Sequence, residues 1–330
     1  MLANLKIAIW TAILSAAPLA AQFDGMLANK PILDAHNCYP YEKQWANRID
    51  RALSTGTPLS IEQDIAWYEG RVVVSHTPKT TGVEPRLTDY FFERVRPTVE
   101  KALKENKPQT WPVIILHFDF KDTQPALLHA VWKVLGQYED WITTASKGSN
   151  PQELQALTRR PLLVITEDSD EQEQVFFNEV KLGERLRVFG SAHSIQIEAQ
   201  SAAARNQALA SLPPAQLLTE KPTNYRRWWN NSWYEVEEGG QPKAGEWTAA
   251  ADARLHSLVD YAHAQGFWVR FYTFDGFEPG HGLGWGEAYN FRSRAAVEKR
   301  WLAALNAGVN FIATDQYEDL AGFMRQNHFK

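Results

Sequence analysis

Short apolar runs that each end in a polar side chain recur along this chain, with helical segments between them. Pro31 to Ala35 leads into His36-Asn37, and Val113 to Phe118 leads into Asp119 and Lys121. Pro58 to Pro78, PLSIEQDIAWYEGRVVVSHTP, is a strand, a Tyr68-Glu69-Gly70 turn and a second apolar run that delivers Ser75-His76. Further runs fall at 161–166, 187–191, 268–274 and 309–313. Helices are expected within 41–53, over 87–106 (divided by Pro97), from Pro125 with Thr123 as its cap, and over 151–159, 170–182 and 195–210. Two more run from Thr248 to Gly266 and from Ser293 to Gly308. Residues 224–247, dense in Trp, Asn and Glu, read as a long loop that covers a site. About eight strand–helix units predict one (β/α)8 TIM barrel, regular or distorted, with no second domain. Such a barrel gathers the C-terminal ends of its strands at one mouth.

Glu62 and Asp64 are two residues apart, so on a strand both carboxylates leave the same face. Carboxylates that close repel unless a proton or a cation lies between them, and a divalent ion held by oxygen ligands keeps both ionised. E-x-D also suits a solvated face of an antiparallel ribbon. The polar ends of the other runs favour the site reading.

The order His36-Asn37, Glu62-x-Asp64, His76, Asp119-x-Lys121 resembles the phospholipase C-like phosphodiesterase superfamily. That group contains phosphoinositide phospholipases C, glycerophosphodiester phosphodiesterases and the sphingomyelinase D type. IEQDIAWYEGRVVVSHT and His36-Asn37 are similar to the phospholipase C pattern; glycerophosphodiesterases usually carry His-Arg at the latter position. Asp119-x-Lys121 is closer to the other two branches. FWVRFYTFDG and GVNFIATDQ look like the last two strands of the glycerophosphodiesterase barrel. The resemblance implies one divalent metal on Glu62, Asp64 and Asp119, with Asn37 as an amide ligand. The oxygen donors favour Ca²⁺ or Mg²⁺. It further implies His36 and His76 as the acid–base pair (His36 as base, the reverse order remaining open), Lys121 on the phosphate charge and Asp275 on the leaving group. The implied substrate is a glycerophosphodiester or a phospholipid headgroup, hydrolysed or cyclised.

Other polar residues carry blander readings. His117 shares strand parity with Asp119 and reads as core packing. His256, Asp260 and His263 read as a solvated helix face, and Cys38 as a small buried residue. His281, in PGHGLGWG, is a further leaving-group candidate. Arg226, Arg227, Trp228 and Trp229 form either a headgroup wall with peripheral membrane contact or ordinary packing under a loop.

A net charge of −5 with no basic stripe argues against nucleic acid as a partner. The expected partner is a small phosphodiester, and the expected state a monomer. Met1 to Ala21 reads as a secretory signal with cleavage before Gln22, leaving 22–330 as the barrel in a secreted or periplasmic setting. The single cysteine allows no internal disulfide. A barrel glycoside hydrolase is the alternative, since thirteen Trp suit sugar stacking. E-x-D is too close for its acid–nucleophile pair, and the two histidines would then have no task. A non-catalytic binder on the same fold is the third reading.

Overall fold

The computed structural model describes residues 31–40, 46–278 and 286–329. Eight parallel strands close on themselves: β1 Ile32–Ala35, β2 Leu59–Tyr68, β3 Ile114–Phe120, β4 Leu162–Thr166, β5 Phe189–Ser191, β6 Arg226–Ser232, β7 Trp268–Tyr272 and β8 Phe311–Thr314. Each pairs with the next, and β8 pairs back onto β1, so no barrel strand is left with a free edge. This is the single-domain (β/α)8 barrel that the alternation predicts. One addition is local: Arg71–Val74 folds back antiparallel onto β2, and Ser75-His76 follows at its end.

Strands buried on both faces need apolar side chains throughout, and β4, LLVIT, is wholly buried. The helices around them present apolar stripes inward. Leu127, Val131 and Leu135 recur every four residues on the helix Pro125–Gln137, and all are buried. Thr248 caps Ala249–Gln265 by accepting the Ala251 N–H at 3.1 Å, and Gly266 ends that helix at φ 96°. Ser293 and Gly308 bracket Arg294–Ala307 in the same way.

Several expected elements differ. Residues 224–247 contain β6, which sequence pattern hides because its side chains are Arg, Trp and Asn rather than Val and Ile. Arg226, Arg227, Trp228 and Trp229 lie on that strand and are buried, so they form no exposed lip. Trp228 packs edge-on against His117, 5.1 Å between ring centres, and donates to the Thr166 carbonyl. No helix forms over 151–159. There the Pro151 carbonyl and the Gln155 N–H bond to Asn224 instead, and Leu157–Thr158 joins a small antiparallel sheet. Pro97 does not divide its helix. It lies near the start of the α-helical stretch Glu93–Glu105, and the irregularity is a π turn at Thr88–Phe92. The helix at 125 begins after Gln124, without a side-chain cap from Thr123. Of 195–210, only Ala202–Ser211 is helical, and 170–182 shortens to Asp170–Glu173 plus a π turn through Asn178.

No helix among the described residues is long and apolar enough to cross a membrane. His281 and the segment 1–21 lie outside the described residues.

Candidate active site

Strand register builds the site in two tiers. Glu62 of β2 lies level with His117 of β3, and two residues further on Asp64 lies level with Asp119. Alternation turns all four towards the barrel axis.

The lower tier is a closed charge network. Arg270 of β7 donates to Asp34 of β1 at 2.5 Å and to Glu62. Its other arm donates to Asn230 of β6 at 3.1 Å. His117 holds Glu167, just past β4, at 2.7 Å and lies 3.6 Å from Glu62 and 3.7 Å from Asp34. Burial opposes every charge here, yet Arg270 and His117 hold the Asp34 carboxyl well below its usual range. Burial and Arg270 would discharge His117, but the carboxylates of Asp34 and Glu167 outweigh them and raise it to about 10. His117 is therefore more than packing: it is a charged member of this tier.

The upper tier faces the mouth. Ligand atoms of Glu62, Asp64 and Asp119 all lie within 4.8 Å of one another. Lys121 donates to Asp119 at 2.7 Å, and its ammonium is 3.2 Å from Asp64. Asp64 is fully buried, and neither of its oxygens has a hydrogen-bond partner. Burial, then Asp119 and Glu62, pushes its carboxyl well above the usual range.

The two histidines flank these acids. His36 Nε2 lies 3.8 Å from Glu62, and His76 Nε2 lies 3.9 Å from Asp64. They differ in setting: the His36 side chain is 11% exposed and that of His76 54%. His36 is also anchored, with Nδ1 3.1 Å from Asp315, which follows β8. Burial would lower His36, but Glu62 and Asp315 carry it up to about 9. His76 is lowered, by partial burial and then by the Lys121 charge.

Asn37 links the two sides. It adopts a left-handed backbone at φ 53°, which asparagine tolerates better than most residues. Its Nδ2 donates to Asp315 at 3.1 Å, its Oδ1 accepts the Tyr39 hydroxyl at 2.9 Å, and the Tyr39 ring stacks on His76. The amide oxygen expected to serve a metal is thus already engaged with Tyr39. Asp275 is buried and accepts from Thr314 at 2.7 Å and from the Asp315 N–H at 2.8 Å. That placement, expected to be on the leaving group, makes Asp275 a support for Asp315.

Asp34, Arg270, Asp315, Glu167 and Asn230 were not anticipated. A signal existed for two of them: Asp34 and Arg270 each interrupt an apolar strand, where a charge is tolerated only with a partner. His263 is taken up by Asn310 at 2.8 Å, and His256 Nδ1 donates to the Asp252 carbonyl of its own helix at 3.0 Å, so neither joins the site. Cys38 is buried, and burial raises its thiol.

A divalent cation suits the upper tier, because Glu62, Asp64 and Asp119 bring carboxylate oxygens within 4.8 Å of one another and buried Asp64 has only the Lys121 ammonium and the half-exposed His76 to meet its charge.

No family model and no curated protein matches the chain. Its fold neighbours among solved structures include a glycerophosphoryl diester phosphodiesterase from Parabacteroides distasonis, 11% identical, covering 92% of this chain and 88% of that one with a TM-score of 0.41. A second glycerophosphodiester phosphodiesterase from that organism is 10% identical, covering 91% and 98%, with a TM-score of 0.43. An HPPK-DHPS from Plasmodium falciparum with pteroate is also 10% identical and scores 0.45, over 92% of this chain and 49% of that one. Neighbours bearing such different names share this level of likeness, so function is argued from the site's own residues.

Proposed function

We propose that the protein is a phosphodiesterase that works with one divalent metal, Ca²⁺ or Mg²⁺, held by Glu62, Asp64 and Asp119. The observation that carries the reading is the acidic ring with an imidazole on either flank. When bound, the metal would offset the charge of the phosphate oxygens that otherwise repels a nucleophile. Lys121 adds a fixed positive charge at the same place and supports the charge that develops on phosphorus.

His36 and His76 are the acid–base pair of this proposal, one taking the proton of the attacking hydroxyl and the other protonating the leaving oxygen. Glu62 is the first of the charges that raise His36, and a metal on Glu62 would offset it, so either order of the pair fits the site. Asp315 holds the His36 ring through Nδ1 and so keeps Nε2 turned towards the acids. The segment 1–21 supports a secreted or periplasmic setting.

Chelation tests the reading. Turnover of bis(4-nitrophenyl) phosphate should disappear with EDTA and return with added Ca²⁺ or Mg²⁺. Full activity in EDTA would remove the metal from the mechanism. Activity on aryl glycosides alone would replace the reading with glycoside hydrolysis.

A further inference from the structure

The stretch that follows β5 crosses the mouth of the barrel with little to hold it down. Ala192 still belongs to the barrel wall, its N–H donating to the Trp228 carbonyl at 2.7 Å. From Ile195 to Ala199 the main chain makes no hydrogen bond to another described residue. Ser201 then caps the helix Ala202–Ser211 by accepting the Ala204 N–H at 3.1 Å, and no residue of that helix is buried. This segment walls a chamber of about 400 Å³, with Ile195, Ile197 and Leu209 on one side and Asn230 and Tyr289 on the other. The last two reach the catalytic centre: Asn230 bonds to Arg270, and the Tyr289 ring lies 5.9 Å from the His36 ring. An exposed segment with so few bonds opens readily unless something pins it.

At its far end Arg254 donates to the Leu209 carbonyl at 3.0 Å. At its near end the Ser194 N–H donates to Asp168 at 2.7 Å, and the His193 ring meets a carboxylate at each nitrogen. Nδ1 bonds to Glu220, while Nε2 lies 3.2 Å from Asp170 and 3.8 Å from Asp168. Glu173 stands within 4.8 Å of the same ring. Asp168 and Asp170 follow β4, Glu173 lies in the helical turn Asp170–Glu173, and Glu220 precedes β6, so the ring ties together separate parts of the rim. The cation beside these acids, Arg226 of β6, donates to Glu173 at 2.8 Å and to Asp168 at 3.2 Å, and reaches Asp170 only at 3.7 Å. A neutral imidazole carries a single N–H, so whichever nitrogen keeps it, the other turns a lone pair towards a carboxylate. Only the imidazolium satisfies both sides. Burial opposes that charge, but Glu220 and Asp170 raise the ring above its ordinary value, with Arg226 taking back part of the effect.

We propose that His193 is a proton-operated latch, which as imidazolium holds the segment 193–211 closed over the chamber and as neutral imidazole releases it. The latch is complete below the ordinary histidine value of 6.5 and is lost as pH rises through the higher value of the folded state. Movement of the segment does not depend on what the centre catalyses; only its effect on turnover rests on the phosphodiesterase proposal.

Limited digestion of the full chain with trypsin reads the latch, because Arg205 is exposed on the helix Ala202–Ser211 and that helix must open to be cut. Lys181, exposed in a turn outside the segment, serves as the internal reference. In the wild type, cleavage after Arg205 relative to cleavage after Lys181, followed by mass spectrometry, should rise about tenfold between about pH 6 and about pH 9. The ratio cancels the protease's own pH dependence and any global loosening, and it needs no variant to fold. H193Q keeps a polar side chain and cannot take the charge. At about pH 6 it should be cut after Arg205 about tenfold faster than the wild type, and at about pH 9 the two rates should agree within about twofold. A wild-type ratio that does not change with pH would overturn the proposal. Equal cleavage of the two proteins at the lower pH would also overturn it, and a difference that persists undiminished at the higher pH would make His193 a fixed packing contact instead. A pH-dependent ratio in a protein that turns over no diester would support the latch and defeat the phosphodiesterase reading alone.

Discussion

Neither oxygen of Asp64 receives a hydrogen bond, although the residue is fully buried and has Glu62 and Asp119 beside it. An ionised carboxylate there is unfavourable without a cation, and Lys121 supplies only part of what it needs. Asp64→Asn removes the charge and keeps the size. The metal-free variant should melt at or above the temperature of the metal-free wild type, because like-charge repulsion is relieved. Added Ca²⁺ or Mg²⁺ should raise the melting temperature of the wild type and leave the variant unmoved. An equal rise in both proteins, read by calorimetric melting, would take Asp64 out of the ligand set. The same residue shows why the E-x-D pair could be found without coordinates. Period-two alternation puts Glu62 and Asp64 on one face whatever surrounds them. Alternation could not show that Glu62 is shared with Arg270 while Asp64 is left for something else.

At the level of elements, β7 is the strand whose contribution is least like ordinary barrel packing. WVRFY carries a guanidinium into the barrel interior, where it ties β1 to β2 through Asp34 and Glu62. Replacing it with an apolar residue leaves two buried carboxylates facing each other. Arg270→Met should cost about 3–5 kcal/mol of unfolding free energy in urea. Arg270→Met combined with Asp34→Asn should recover part of that loss, since one uncompensated charge is then gone. Additive losses in the double variant would show that the two residues do not act as a pair. β6 teaches a related lesson. Its RRWWNNS sequence lacks the β-branched pattern of a barrel strand, because its polar side chains bond to Glu167, Arg270 and the loop at Asn224 rather than to water. Propensity favours irregular structure there, and tertiary partners decide otherwise.

For the whole molecule, the buried titratable groups combine into one pH dependence. His36 and His117 are raised from 6.5 to about 9 and about 10, and Asp275 and Glu235 are raised to about 8. All four hold their protons more tightly folded than unfolded. Linkage then makes stability fall as pH rises. The histidine contributions are fully present below about 6.5 and are lost as pH passes through about 9 to 10. The two carboxyls lose theirs between the ordinary carboxylate range and about 8. Asp34 and Asp119 are shifted downward and act in the opposite sense, only in acid. The metal-free protein should therefore show a melting temperature that declines steadily from about pH 6 to about pH 9.5. A flat or rising profile over that span would mean that the buried histidines are not charged in the folded state.

Alternation of short apolar runs with helical segments marked seven of the eight barrel strands, because a parallel strand buried on both faces and its covering helix each leave a local periodic trace, which β6 does not. Polar residues at the ends of apolar runs pointed to His36, His76, Asp119 and Lys121, two-residue alternation pointed to Glu62 and Asp64, and the family resemblance joined the six into one set. Tertiary structure alone assigned partners. It gave Glu62 to Arg270, Asn37 to Tyr39 and Asp315, and Asp275 to the end of β8, and it left Asp64 and Glu235 each with an unsatisfied oxygen. The residues in those pairs are up to 278 positions apart in the chain. Local sequence carries period and turn chemistry, but a charge's partner is set by which strands the closing barrel brings face to face.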